Sequence, residues 1–227
     1  MFDIPVVLII FRRCDTMPRI IQRLAKVKPR KVYILADEGR NEKEIEQAHE
    51  CRKTVESLIN WDCEVVKNYA EENRGVYRNI GEGAKWVFER EEKAIFLEDD
   101  NLPETSFFRY ADEMLEKYET APEVLWICGT NYVTDMNGKE SYAFTQHLLP
   151  CGWASWSTKF LKYYDGELHS VMRRIKESFI AAIQTDGWHN GNTSRFATKL
   201  KDMKERDDSF LGTIKCCGRL DRMAYME

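Results

Sequence analysis

The sequence has no surplus of basic residues and no apolar run long enough to cross a membrane. Its 34 Lys and Arg residues against 38 Asp and Glu residues give a net charge of -4, whereas a nucleic-acid binder normally carries a basic face. The apolar run near the N-terminus, Val6–Phe11, is far shorter than a membrane span. We therefore expect no nucleic-acid partner and no transmembrane segment. The cysteine pattern described next favours a reducing cytosol, so we expect a cytoplasmic chain.

Several sequence signatures are also missing. The seven cysteines are irregularly spaced and form no C-x-x-C pair, which argues against a disulfide framework or a zinc cluster. The patterns G-x-G-x-x-G, G-x-x-x-x-G-K-[ST] and G-x-S-x-G do not occur. The sequence therefore lacks the phosphate-binding loops that dehydrogenases and P-loop ATPases need. It also lacks the turn that carries the nucleophile of a serine hydrolase.

What is present is a regular alternation of apolar strand-like runs and helical patterns. The predicted strands are 6–11, 31–36, 63–66, 94–97 and 124–128. Their continuous apolar character is typical of strands covered on both faces. This predicts an α/β fold with a mostly parallel twisted sheet flanked by helices. We interpret the 227 residues as one domain, with a nucleotide-binding half at 1–128 and a less regular half at 129–227.

Three of the predicted strands end in charged residues: Arg12-Arg13, Asp37-Glu38 and Glu98-Asp99-Asp100. In an open α/β sheet, ligands bind beyond the carboxyl ends of the strands. Cations from one strand and carboxylates from the others suit a ligand that combines a base or ribose, a diphosphate and a divalent ion.

The acidic triplet at 98–100 carries the most chemical information. Three adjacent carboxylates repel one another, and a hard cation such as Mg²⁺ or Mn²⁺ relieves that repulsion. Such an ion takes one or two protein carboxylates and completes its coordination with phosphate oxygens and water. The alternative interpretation is an acidic turn that only faces water.

A series of motifs resembles a known family. The segments occur in the order VVLIIFRRCDTMPRIIQRLAKVKP, YILADEG, AIFLEDDNLPETSFFRYADEMLEKY, LWICGTN and LPCGWASW. Together, over about residues 4 to 160, they resemble nucleotide-sugar glycosyltransferases with the GT-A fold, most like the N-acetylglucosaminyltransferase I type and its bacterial relatives. Glu98-Asp99-Asp100 is the version of the family's Asp-x-Asp motif found in this sequence.

The resemblance implies roles for individual residues. Asp100 would be the direct metal ligand, with Glu98 and Asp99 directed towards the sugar, the ribose or metal-bound water. Asp37 would accept the imide N–H of a uracil ring, and Arg12 would lie against the base or the diphosphate. Asp37 as a plain helix-entry residue and Arg12 as a solvated charge remain open alternatives.

Other donor-site candidates come from two further segments. Asn79 stands where the family has a donor-site histidine, so that contact is in question. The resemblance implies that the segment with Gly152 and Trp153 borders the donor sugar and the acceptor, where an aromatic ring can stack on a sugar ring. Packing of the tryptophans in the core is the open alternative, and for Trp153 we favour the pocket. For Trp156 we favour core packing. The basic residues of the helix that carries Asn79 are interpreted as a solvated face.

The catalytic base of an inverting transfer would be a carboxylate that removes the proton of the acceptor hydroxyl. The family places it in a Trp-Asp motif, whose nearest match here is Asp207-Asp208, preceded by Arg206 instead of tryptophan. Asp186 is a second candidate, and an N-cap or surface role is open for each. Relatives usually continue beyond this point, so we expect either a fragment or a shortened variant.

The resemblance therefore implies a metal-dependent glycosyltransferase that moves a sugar from a nucleotide diphosphate, a UDP-sugar in particular, to a saccharide or glycoconjugate acceptor with inversion. Two alternatives stay open. A sugar nucleotidyltransferase would need a glycine-rich loop after the first strand, and residues 11–15 contain no glycine. A non-catalytic nucleotide-sugar binder would fit the short C-terminus.

Overall fold

The computed structural model describes residues 1–130, 142–145, 151–164 and 166, together with the backbone of 215–219 and 224–225. Ten strands and five helices lie within these residues. The strands are β1 (Val6–Ile10), β2 (Lys31–Ala36), β3 (Glu64–Tyr69), β4 (Lys93–Glu98), β5 (Asn101–Leu102), β6 (Val124–Cys128), β7 (Tyr142–Thr145), β8 (Trp153–Trp156), β9 (Lys215–Arg219) and β10 (Ala224–Tyr225). The helices are α1 (Met17–Val27), α2 (Glu42–Leu58), α3 (Val76–Phe88), α4 (Thr105–Lys117) and α5 (Ser157–Tyr163).

Eight of the described strands form one sheet in the order β3-β2-β1-β4-β8-β6-β9-β7. The pairs β3–β2, β2–β1, β1–β4 and β6–β9 are parallel. Strands β1 and β2 are buried almost throughout, as expected for parallel strands covered on both faces. The predicted fold class is confirmed: the sheet is mostly parallel and is flanked by helices.

The sequence did not predict strand β8, which runs antiparallel to both of its neighbours, β4 and β6. The residues of β8 are buried on both faces, so the segment has no polar alternation that would mark a strand. Trp156 packs in the core, as predicted, and is 2% exposed. Its indole N–H donates to the carbonyl of Leu115 at 2.9 Å.

Trp153 is also a core residue, whereas the sequence predicted that its ring borders the donor sugar. Its indole is stacked between Phe96, at 3.9 Å between ring centroids, and Trp126, at 3.7 Å. Only 2% of the residue is exposed. The packing has a simple cause: β8 pairs with β4 and β6, so its inward side chains meet the large rings of both neighbours.

The sheet separates two apolar clusters. One lies against α1 and α4 and contains Leu8, Ile34 and Phe108, and the other lies against α3 and contains Val7 and Phe96. No helix among the described residues is long and apolar enough to span a membrane.

Candidate functional site

The carboxyl ends of β1, β2 and β4 lie side by side at one edge of the sheet. In the register of the parallel pairs, Ile10 is opposite Ala36 and Ile9 is opposite Glu98. The charged residues that follow these strands therefore leave the sheet at the same edge, as the sequence predicted.

Arg13 joins the first strand to the acidic turn at residues 98–100. Its Nη1 atom lies 2.5 Å from Oδ2 of Asp100 and 3.3 Å from Oδ1 of Asp99. The backbone N–H of Phe11 donates to Oδ2 of Asp99 at 3.3 Å, and the Thr16 hydroxyl lies 2.6 Å from the Asp99 carbonyl oxygen. Asp99 therefore holds the turn against β1, while Asp100 remains 38% exposed at its side chain.

The acidic turn has unusual electrostatics. Burial, followed by the charges of Asp100 and Asp99, raises the pKa of Glu98 to about 7. Burial also raises the pKa of Asp99, although the charge of Arg13 and a hydrogen bond from the Phe11 N–H oppose that shift. The hydrogen bond to Asp100 raises the pKa of Arg13 in turn. Among the residues that the structure describes, Arg13 is the cation paired with the turn, and it cannot balance the charge of three carboxylates.

This donor set fits a hard divalent cation that takes a single protein carboxylate. Among the described residues, no three His, Cys, Asp or Glu side chains lie close enough to hold a metal ion by themselves. Mg²⁺ and Mn²⁺ do not need such a cage when phosphate oxygens complete the coordination. Asp100 is the half-exposed carboxylate of the turn, and its excess negative neighbours favour a cation there. The residues present therefore suit the metal expected from the sequence.

Asn101, which follows the acidic turn directly, was not among the residues that the sequence singled out. It is 4% exposed, and its carboxamide oxygen accepts hydrogen bonds from the backbone N–H groups of Glu98 at 3.1 Å and Gly152 at 2.9 Å. Its amide nitrogen donates to Oδ1 of Asp100 at 3.0 Å. The signal in the sequence was weak, since an asparagine after three acidic residues is ordinary turn composition.

Asp37 has a different surrounding from the one predicted. Its Oδ1 atom accepts from the N–H groups of Glu38 and Arg74 at 2.9 and 2.8 Å. Its Oδ2 atom accepts from the Gly75 N–H at 2.9 Å and from the Asn73 side chain at 3.2 Å. A carboxylate has about four acceptor positions, and all four are used. The sequence predicted a contact with the uracil imide, whereas this carboxylate holds the loop before α3.

Arg12 forms an ion pair with Glu44, with Nη1 and Oε1 2.7 Å apart. Glu44 also accepts from Arg40, through Nη2 at 2.6 Å and Nε at 2.8 Å. Hydrogen bonds from Arg40, with the charge of Arg12, lower the pKa of Glu44 to about 2. The Arg12 side chain is still 42% exposed, so it stays at the open edge of the sheet where a diphosphate contact was predicted.

The remaining predicted residues are placed as follows. Asn79 is the fourth residue of α3 and is 4% exposed. Gly152 has a positive φ of 63°, a conformation that favours glycine, and its N–H binds Asn101 at the acidic turn. Asp207, Asp208 and the second candidate Asp186 lie outside the described residues.

The chain matches no protein-family model and no curated protein. Similar solved structures include 4-diphosphocytidyl-2C-methyl-D-erythritol synthase from Anaerococcus prevotii, at 11% identity and a TM-score of 0.47, covering 74% of this chain and 77% of that chain. An apo UDP-glucose pyrophosphorylase shares 9% identity at a TM-score of 0.45, with coverages of 99% and 92%.

A glycosyltransferase is also among the similar structures. GlyE of Streptococcus pneumoniae has 8% identity and a TM-score of 0.42, covering 95% of this chain and 54% of that chain. Likenesses of this size assign neither a family nor an activity. None of the three is named as an N-acetylglucosaminyltransferase I type enzyme, so that part of the resemblance stays an expectation.

Proposed function

We propose that the chain is a metal-dependent glycosyltransferase that moves a sugar from a nucleoside diphosphate, UDP in particular, to a hydroxyl group of a saccharide acceptor. One observation carries the proposal. The half-exposed carboxylate of Asp100 and the exposed arginines 12 and 13 stand together at the carboxyl edge of a mostly parallel sheet, where α/β proteins bind their ligands.

The roles of the residues follow from this arrangement. Loss of the sugar leaves negative charge on the diphosphate, and Mn²⁺ or Mg²⁺, when bound, would neutralise it. Asp100 would hold the cation through the oxygen that now faces Arg13. Glu98 and Asp99 would line the sugar or ribose side of the turn. The exposed guanidinium of Arg12 would lie against the base or diphosphate.

The acceptor side of the proposal rests on the sequence alone. An inverting transfer needs one carboxylate that takes the proton of the acceptor hydroxyl as it attacks the anomeric carbon. Asp207 or Asp208 is the proposed base, and the Gly152 segment is proposed to border the sugar. Because the ring of Trp153 is packed in the core, any contribution of this segment to sugar binding would come from its backbone.

Calorimetry with UDP tests the donor site directly. We expect UDP to bind the native chain in a Mn²⁺-dependent manner, and we expect Asp100→Ala to weaken this binding by tenfold or more because the ion loses its protein ligand. Asp62→Ala, which removes an exposed carboxylate outside the site, is the matched control and should bind like the native chain. Equal, metal-independent binding by all three proteins would contradict the proposal.

Two further assays, of pyrophosphate release and of UDP-sugar hydrolysis, test the two alternatives. A sugar nucleotidyltransferase releases pyrophosphate from a nucleoside triphosphate and a sugar phosphate. Such an enzyme would need a glycine-rich loop after β1, whereas this loop contains no glycine and none of its residues has a positive φ. A non-catalytic binder would leave a UDP-sugar intact without an acceptor, whereas a transferase should hydrolyse it slowly in the presence of metal.

A further inference from the structure

Asn101 connects two parts of the molecule that are distant in sequence. It follows the acidic turn directly, and Gly152, which lies 51 positions further along the chain, donates its N–H to the Asn101 oxygen. The same oxygen accepts the N–H of Glu98. One buried carboxamide thus fixes the acidic turn against the start of β8.

The orientation of this carboxamide follows from its partners. Two backbone N–H groups are donors and can only face the carboxamide oxygen, while the carboxylate of Asp100 is an acceptor and can only face the amide nitrogen. A flipped amide would lose all three hydrogen bonds. The three hydrogen bonds can therefore form in only one of the two orientations of the carboxamide.

This arrangement fixes Asp100. Its Oδ1 atom is held by the Asn101 amide at 3.0 Å, so its Oδ2 atom turns outward to Arg13 and solvent. A half-exposed aspartate without such a partner would sample several rotamers. It would therefore lose side-chain conformational entropy when it bound an ion, which would weaken binding.

We propose that Asn101 is a positioning residue for the cation of the donor site: it orients the carboxylate of Asp100 and keeps Gly152 in register with it. The inference rests on the proposed function, because it concerns the same cation. Residues that orient a metal ligand in this way typically change metal affinity by about 10–100-fold when they are lost.

The first experiment measures Mn²⁺ binding in the presence of saturating UDP, from the electron paramagnetic resonance signal of free Mn²⁺. We expect Asn101→Ala to weaken Mn²⁺ binding by about 10–100-fold. Ser155→Ala is the control, because its buried hydroxyl donates to the Leu125 carbonyl at 2.7 Å and has no contact with the acidic turn. It should lower the urea midpoint of unfolding while leaving the Mn²⁺ affinity unchanged.

The second experiment uses the native chain, so it does not depend on whether Asn101→Ala folds. The side-chain NH₂ resonances of Asn101 should shift when Mg²⁺ is added to the UDP-bound protein, and this shift should be lost in Asp100→Ala. Unmoved resonances, or an Mn²⁺ affinity of Asn101→Ala within twofold of the native value, would overturn the inference alone. If the native chain with UDP binds no more metal than UDP alone, both the inference and the proposed function fail.

Discussion

The guanidinium of Arg13 and the carboxylate of Asp100 form an ion pair, with Nη1 and Oδ2 2.5 Å apart, across the exits of two neighbouring parallel strands. The arginine thus occupies the outward oxygen of the carboxylate that we propose as the metal ligand. Any ion that binds Asp100 through this oxygen competes with Arg13.

Replacing Arg13 should therefore strengthen metal binding to the nucleotide-free protein. Because exposed ion pairs contribute roughly 0.2–1 kcal/mol, we expect Arg13→Gln to raise the Mn²⁺ affinity up to about fivefold. Arg12→Gln is the matched control, since Arg12 pairs with Glu44 and not with the acidic turn. Paramagnetic resonance of free Mn²⁺ measures both variants, and equal affinities for the two would contradict competition at Asp100.

Asp37→Asn should destabilise the chain rather than alter ligand binding alone. Asparagine offers one acceptor oxygen in place of two, so two of the four donors now bound by Asp37 lose their partner. Each unpaired buried donor costs about 1–3 kcal/mol, and urea unfolding should show a loss in this range or above. Asp62→Asn, at an exposed position, should unfold like the native chain.

The same variant separates two roles for Asp37. If this carboxylate reads a uracil ring, Asp37→Asn should reduce UDP affinity at unchanged stability. We expect the opposite pattern, with the main loss in the free energy of unfolding.

The stability of the chain should fall in acid through Glu44. Its pKa is lowered to about 2 in the folded chain, chiefly by hydrogen bonds from Arg40, whereas its ordinary value is 4.5. A depressed pKa stabilises the folded state above the ordinary value, and this stabilisation is lost as the pH falls from about 4.5 to about 2. Urea midpoints measured across this range should therefore decrease.

Glu44→Gln identifies the contribution of this residue to acid unfolding. It should be less stable than the native chain at pH 7, and the difference should shrink as the pH falls towards 2. Glu42→Gln, at an exposed position of the same helix, is the control. A constant difference between native chain and Glu44→Gln at all pH values would contradict this assignment.

Lys159 should be important for stability although it belongs to a short helix. Its ammonium group donates to the carbonyls of Tyr118, Ala121 and Val124 at 2.5, 2.9 and 2.8 Å and lies 3.5 Å from the ring centroid of Trp156. Lys159→Met removes the donor that these three carbonyls share, and we expect the free energy of unfolding to fall by at least about 1–3 kcal/mol. Thermal unfolding measures it against Lys162→Met, a change at an exposed position of α5, which should have little effect.

The strands that residues 1–128 contribute to the large sheet could be predicted because the apolar runs and polar ends that mark each of them are adjacent in the sequence. The strand ranges 31–36 and 124–128 agree with β2 and β6, since continuous apolar runs end there at polar residues or glycine. The start of α2 has a local cause of the same kind: Asn41 is its N-cap and accepts the Glu44 N–H at 3.1 Å. The positions of the charged strand exits followed from these strands.

The features that escaped prediction depend on distant partners. Strand β8 is defined by pairing with strands that lie well before it in the sequence. The role of Asn101 depends on Gly152, and the surroundings of Asp37 depend on residues 73–75. Composition and spacing at one position carry no information on which backbone groups will arrive there from elsewhere in the chain.

The insertion of β8 between β4 and β6 has a consequence for synthesis on the ribosome. A nascent chain that ends after β6 has emerged would leave the outer edge of β4 without its hydrogen-bonding partner, and Phe96 and Trp126 would lack the indole ring that lies between them. Unpaired strand edges invite association with other chains. Strands β4 and β6 can therefore be joined through β8 only after residue 156 has left the exit tunnel.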